Sequence, residues 1–160
     1  MGTRSIHIVP SDNKGKYICQ YLQFDGYPDH QLAVLIKDIN RVSMSISCGN
    51  KKIDKDVFYN FIRSYYKYRS FETPHSVNNS VEVDSYNVKD FTENWWCEWS
   101  YEWIEEDENI FLQVTRLSDM KCIKVEINEM FEIISSPYAK NIAPIDKFLE
   151  KKLQVFEEEE

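Results

Sequence analysis

A chain of 160 residues with 27 acidic against 19 basic side chains carries a formal charge of -8, which disfavours non-specific binding to nucleic-acid phosphate over most of its surface. Its 42% hydrophobic and 14% aromatic content excludes a disordered chain, and the length suits one core, so a single domain over 1–160 is expected. Four glycines and five prolines are few for that length and imply regular structure joined by short connections.

In chain order, residues 5–9 are short and β-branched, Ser11 to Gly15 is turn chemistry, and residues 17–24 are again strand-like, which predicts an amino-terminal hairpin over 5–24. Gly26 and Pro28 stop the second strand. Asp29 then caps a helix with Leu32, Leu35, Ile36 and Ile39 on its apolar face. Val42, Met44, Ile46 and Cys48 alternate with serines, the period of a short strand, although a continued helix uses the same residues.

Asp54 caps a second helix whose apolar face is Val57, Phe58, Phe61, Ile62 and Tyr65, with Ile53 placed to staple against Phe58. The cations Lys67 and Arg69 at its end suit the helix dipole. Residues 72–90 are polar, lack sustained periodicity beyond Val81 and Val83, and are expected to form the longest, flexible loop, a place for a binding edge or lid.

From Trp95 the alternation is strong. Trp95, Cys97, Trp99, Tyr101 and Trp103 fall on one face of a predicted strand, and Trp96, Glu98, Ser100 and Glu102 on the other. An acidic turn at 105–108, a strand over 110–117, a turn at Ser118 and Asp119, and a strand over 121–127 complete a three-stranded meander. Residues 130–134 suit a strand or a helical turn. Pro144 opens a closing amphipathic helix through Ile145, Phe148, Leu149, Leu153 and Phe156, and residues 157–160 form an acidic, solvated end. The fold expected is α+β: an antiparallel sheet, built of the hairpin and the meander, with about three helices on one face.

Chemistry is harder to find. The cysteines at 19, 48, 97 and 122 include no CxxC pair, and each sits among apolar or β-type neighbours, so they are expected to be reduced and buried, with no metal or other cofactor. The absence of a secretory apolar segment or a membrane-length run agrees with a cytoplasmic setting. The histidines lie in no HxxxH or HExxH arrangement, and His7, between Ile6 and Ile8, points away from their face, toward solvent or a hydrogen-bond partner. No GxGxxG, Walker A, GxSxG or EF-hand pattern occurs, so the balance falls against an enzyme. Glu98 and Glu102 share a face with Ser100 and could bind a hard cation or act as an acid/base pair, although glutamates on the wet side of a strand are the ordinary arrangement. In the aromatic row, Trp99 is either core or part of a stacking platform. Trp96, set among acidic residues, is the best candidate for an exposed contact.

The opening Met1-Gly2-Thr3-Arg4-Ser5, followed by a hairpin and by Gln23-Phe24-Asp25-Gly26-Tyr27-Pro28, resembles a widespread group of small proteins of bacteriophages, bacteria and fungi with no established activity. The resemblance spans about the first thirty residues and implies a shared hairpin and a viral origin, hence a host-cell cytoplasm. Within it, Arg4 and Asp25 fall at the same end of the sheet and could form an ion pair or, with Tyr27, a small polar site. The layout is also similar in outline to amino-terminal-nucleophile hydrolases, but loss of Met1 exposes Gly2, which has no nucleophile, and Thr3 serves only after a further cleavage.

The reading that follows is an accessory protein that binds a host or anti-phage defence protein through an acidic and aromatic surface including Arg4, Asp25, Tyr27, Trp96, Glu98, Trp99 and Glu102. No direct nucleic-acid or membrane binding is expected. The alternatives are a small-molecule binder or hydrolase with a pocket near Arg4, Asp25 and Tyr27, and a minor virion component.

Overall fold

A computed structural model describes residues 3–22, 26–36, 55–69, 80–132 and 143–157. Strand β1 is Ser5–Pro10 and β2 is Tyr17–Leu22. Between them Gly15 supplies a φ of 85°, and the Ser11 N–H donates to the Lys16 carbonyl at 2.9 Å. Helix α1 covers 28–36 and α2 is Lys55–Arg69. Strand β3 is Ser80–Val83, followed by α3, Val88–Trp95. The meander is β4, Trp99–Glu106, β5, Asn109–Arg116, and β6, Lys121–Glu126. Helices α4, Ile127–Glu132, α5, Ala143–Lys152, and α6, Gln154–Glu157, close the described chain.

The α+β class holds, but the sheet is larger than the expected one and mixed. Six strands run in the order β3-β2-β1-β4-β5-β6, and β1 pairs with β4 in parallel, with Ser5 opposite Trp99 and His7 opposite Tyr101. Hairpin and meander therefore merge into one sheet. A parallel join needs a long crossover, and here the segment from β2 to β4 supplies it.

Alternation along each strand builds two cores. On the first face Val9, Tyr101, Trp103, Leu112, Val114, Ile123 and Val125 pack with Leu32 and Ile36 of α1, Phe58 and Ile62 of α2, Met130 of α4, and Ile145 and Leu149 of α5. The second face was expected to be wet. Instead Ile6, Ile8 and Cys19 form a smaller core with Cys97 and Leu117, against which Val88, Phe91 and Trp95 of α3 pack.

Helix α3 replaces the latter part of the expected loop, and β3 lies in its middle. Val88, Phe91 and Trp95 recur at helical spacing, Asn87 caps the first turn by accepting from the Lys89 N–H at 3.1 Å, and Trp96 ends it in the left-handed conformation at φ 57°. The strand predicted from Trp95 accordingly starts at Trp99. Residues 71–79 lie outside the described residues, as do the expected strand over 42–48, the Asp54 cap and the Ile53 staple. Within α2, Phe58 and Ile62 are buried as expected, whereas Val57 is 45% exposed and does not belong to the apolar face.

The β4–β5 turn has Asp107 and Glu108 at φ 51° and 69°, the paired positive values of a two-residue hairpin turn whose twist matches the strands. The 130–134 run resolves as helical through Glu132. Among the described residues no helix is long and apolar enough to cross a membrane.

Candidate functional site

One end of the sheet gathers most of the chemistry. There β1 begins beside Trp99, and Trp99 lies opposite Arg116 on β5. The Gly26 N–H donates to the Thr3 carbonyl at 2.9 Å, which carries the chain past β2 and sets Tyr27 and Pro28 at the start of α1 beside the same end. Gly26 is required there: a Cβ would come within 2.7 Å of Ser5 Cβ and 2.8 Å of the Thr3 carbonyl oxygen. Its own carbonyl accepts from the Tyr101 hydroxyl at 2.6 Å, and Tyr101 stacks on His7 at 4.4 Å, so the turn is tied into the core.

On the first face this end opens as a cleft of about 400 Å³ between the start of α1, strands β4 and β5, and helices α5 and α6. Tyr27, Trp99 and Phe156 supply aromatic wall, and Leu149 and Leu153 the aliphatic part. Trp99 and Phe156 meet edge to face at 4.9 Å, a geometry that fixes both rings. Asp29, Asp146, Glu150 and Glu157, all exposed, bring four carboxylates from three helices.

Among the described residues Arg116 is the one cation lining the cleft, and its charge is engaged. Its guanidinium donates from Nε and Nη2 to the two oxygens of Asp119, at 3.0 and 2.5 Å, and from Nη1 to the Phe156 carbonyl at 2.6 Å. It also lies over the Phe156 ring at 5.5 Å. The same guanidinium holds the Asp119 carboxyl down at about 2. The charge lining the cleft is therefore negative on balance, beside an aromatic wall. That combination suits a cation.

The expected site residues do not gather in one place. Tyr27 and Trp99 come together in the cleft. Arg4 and Trp96 meet near the same sheet end, with the guanidinium 5.6 Å from the indole centroid, and burial pushes up the Tyr21 phenol while the Arg4 charge opposes that shift. Trp96 is exposed at 68%, as expected, because it caps α3 and not because it faces out from a strand. Asp25, and with it the Arg4–Asp25 pair, lies outside the described residues.

Glu98 and Glu102 do not form the expected wet acidic row. Glu98 precedes β4 in an exposed connection whose N–H donates to the Arg4 carbonyl at 2.9 Å. Ser100 is fully buried between them in sequence, and Glu102 is half-buried on the second face, accepting from the Tyr86 hydroxyl at 2.7 Å. Burial raises the Glu102 carboxyl and the Tyr86 phenol, each disfavouring its charged form. The cause is α3 and its flanking chain, which cover what a single strand's alternation marks as solvent-facing.

His7 does point away from Ile6 and Ile8, but into the first core, with 0% exposure. Of the cysteines, Cys19 and Cys97 are buried as expected, with burial pushing their thiols up to about 11 and about 12, while Cys122 is exposed on the edge strand. Cys48 lies outside the described residues. Among the described residues no group of three metal-ligating side chains comes together.

The site's other members, Phe156, Arg116, Asp29 and the Asp146–Glu150 pair, carry no motif. Their one sequence signal is that Asp146 and Glu150 are four apart on a helix and so share a face. No protein-family model, curated protein or solved structure matches the chain, so this end of the sheet has to be interpreted from its own geometry.

Proposed function

We propose that the protein is a phage-type accessory protein that binds a host or defence protein, docking a basic surface of that partner into the acidic aromatic cleft. The observation that carries this reading is the cleft itself: among the described residues three rings line it, four carboxylates rim it, and the one arginine is already paired with Asp119. Charge of this sign speeds encounter with a basic partner, and rigid rings at the centre supply affinity. The net charge of -8 and the phage-like amino terminus point the same way.

The test is affinity purification of the intact chain from bacterial cells beside Glu150→Lys and Asp146→Lys variants. Both positions are exposed on α5, and thermal melts matching the parent verify that the variants keep the fold. A stoichiometric protein partner captured by the parent and lost with either variant supports the proposal. Capture that is equal in all three, or no partner at all, defeats it.

A second reading is favoured by the cleft's size, which falls within the usual range of small-molecule pockets. In that case the ligand is a small cation rather than a protein surface. Thermal stabilisation by low-molecular-weight amines, with no protein captured from cells, distinguishes it.

A further inference from the structure

We infer that the cleft is a lysine-reading pocket, which takes the ammonium group of one lysine side chain from a basic segment of its partner. The inference rests on the binding function proposed above and specifies the group recognised.

Three features select an ammonium over other cations. The first is the placement of the carboxylates. Asp29 comes from α1, Asp146 and Glu150 from α5, and Glu157 from α6, so the acceptors that line the cleft are set on three different helices. A compact ammonium with three rotatable donors satisfies acceptors in such an arrangement, whereas a guanidinium fork wants a coplanar pair. Second, a guanidinium is already present: Arg116 lies over the Phe156 ring and donates to the Phe156 carbonyl. That ring face is already occupied, so a second planar cation cannot stack on it. Third, Tyr27 and half-buried Trp99 supply further ring surface in the same cleft. A lysine stem can lie along it while the head reaches the carboxylates, as long cationic side chains do on apolar surface.

The occupant is therefore a lysine presented on an extended or loop segment, with its four-carbon stem against Trp99 and Tyr27 and its head near Asp146 and Glu150. Anionic and neutral ligands gain nothing from this rim.

The probe is the capped peptide Gly-Gly-Lys-Gly-Gly, with norleucine and arginine versions as comparators, titrated into the full chain while the Trp99 indole N–H is followed by NMR. The lysine peptide is expected to shift that resonance saturably, the norleucine peptide to leave it in place, and the arginine peptide to bind several-fold more weakly. Tyr27→Leu is expected to weaken the lysine peptide by about 2- to 30-fold, the span of a cation–ring contact from exposed to desolvated. Glu150→Gln and Asp146→Asn should each weaken it, and an unchanged amide spectrum elsewhere verifies that these surface variants are folded.

Equal shifts from the norleucine peptide, equal affinity for arginine, or affinity indifferent to Glu150→Gln would overturn the inference. Capture of a protein partner that depends on Glu150 without any lysine preference leaves the proposed function standing and removes only the lysine assignment. Lysine binding with no captured partner does the reverse.

Discussion

His7 provides a pH-dependent prediction whose size follows from the structure. The imidazole is fully buried on the central strand β1, stacked on Tyr101 with ring centroids 4.4 Å apart and planes 7° from parallel, and opposite Gln20 on β2. Burial disfavours the charged ring and holds its pKa down at about 3, against 6.5 for the free side chain. Above the free value neither state binds the proton and titration of the histidine contributes nothing to stability. As pH falls below it, the unfolded chain takes up a proton that the folded chain refuses, so stability is lost progressively down to the folded value. Each pH unit well inside that window is worth about 1.36 kcal/mol, so one such site removes about 2 kcal/mol between pH 7 and pH 5.

The perturbation is His7→Phe, which keeps a ring on Tyr101 but cannot titrate. Urea unfolding at pH 7, 6 and 5 gives the stability of both chains, and the other titrating groups cancel in the difference. The parent is expected to lose about 2 kcal/mol more than the variant across that interval. Parallel curves would show that the imidazole is hydrated or charged in the folded protein, and the burial argument would fail.

Gly26→Ala is expected to lower stability by about 1–3 kcal/mol in the same assay, because the new methyl meets Ser5 and the Thr3 carbonyl at under 3 Å; an unchanged midpoint would mean that this turn does not press on β1. Tyr86→Phe removes a hydrogen bond to a half-buried carboxylate and should cost about 1–2 kcal/mol, whereas a cost no larger than that of an exposed tyrosine would refute cover over Glu102. Maleimide labelling of the native chain, mapped by peptide mass, should modify Cys122 and spare Cys19 and Cys97, whose burial keeps them thiols; rapid modification of Cys19 would contradict the second core.

The local elements were legible wherever one residue period and one capping signal agreed. The hairpin around Gly15, the helix from Tyr59's neighbours Phe58 to Ile62, the β4–β5–β6 meander and the helix opened by Pro144 all carry such signals. Trp95 to Cys97 misled because the two-residue alternation of the following strand runs back by chance into the last turn of a helix. The Val88, Phe91, Trp95 spacing competes with it, and only packing against Ile6 and Ile8 decides between the two.

The sequence by itself determined the class of fold, the strong aromatic strand, the inward rows of the meander and the negative charge, since all of these follow from composition and from periods of two and about 3.6 residues. Tertiary structure decided what lies beside what. The parallel join of β1 to β4, the full burial of Ser100 and partial cover of Glu102, and the meeting of Tyr27, Trp99, Arg116 and Phe156 in one cleft depend on contacts between residues far apart in sequence. No local pattern encodes such contacts, because each chain segment satisfies its own backbone and apolar face without specifying its neighbour.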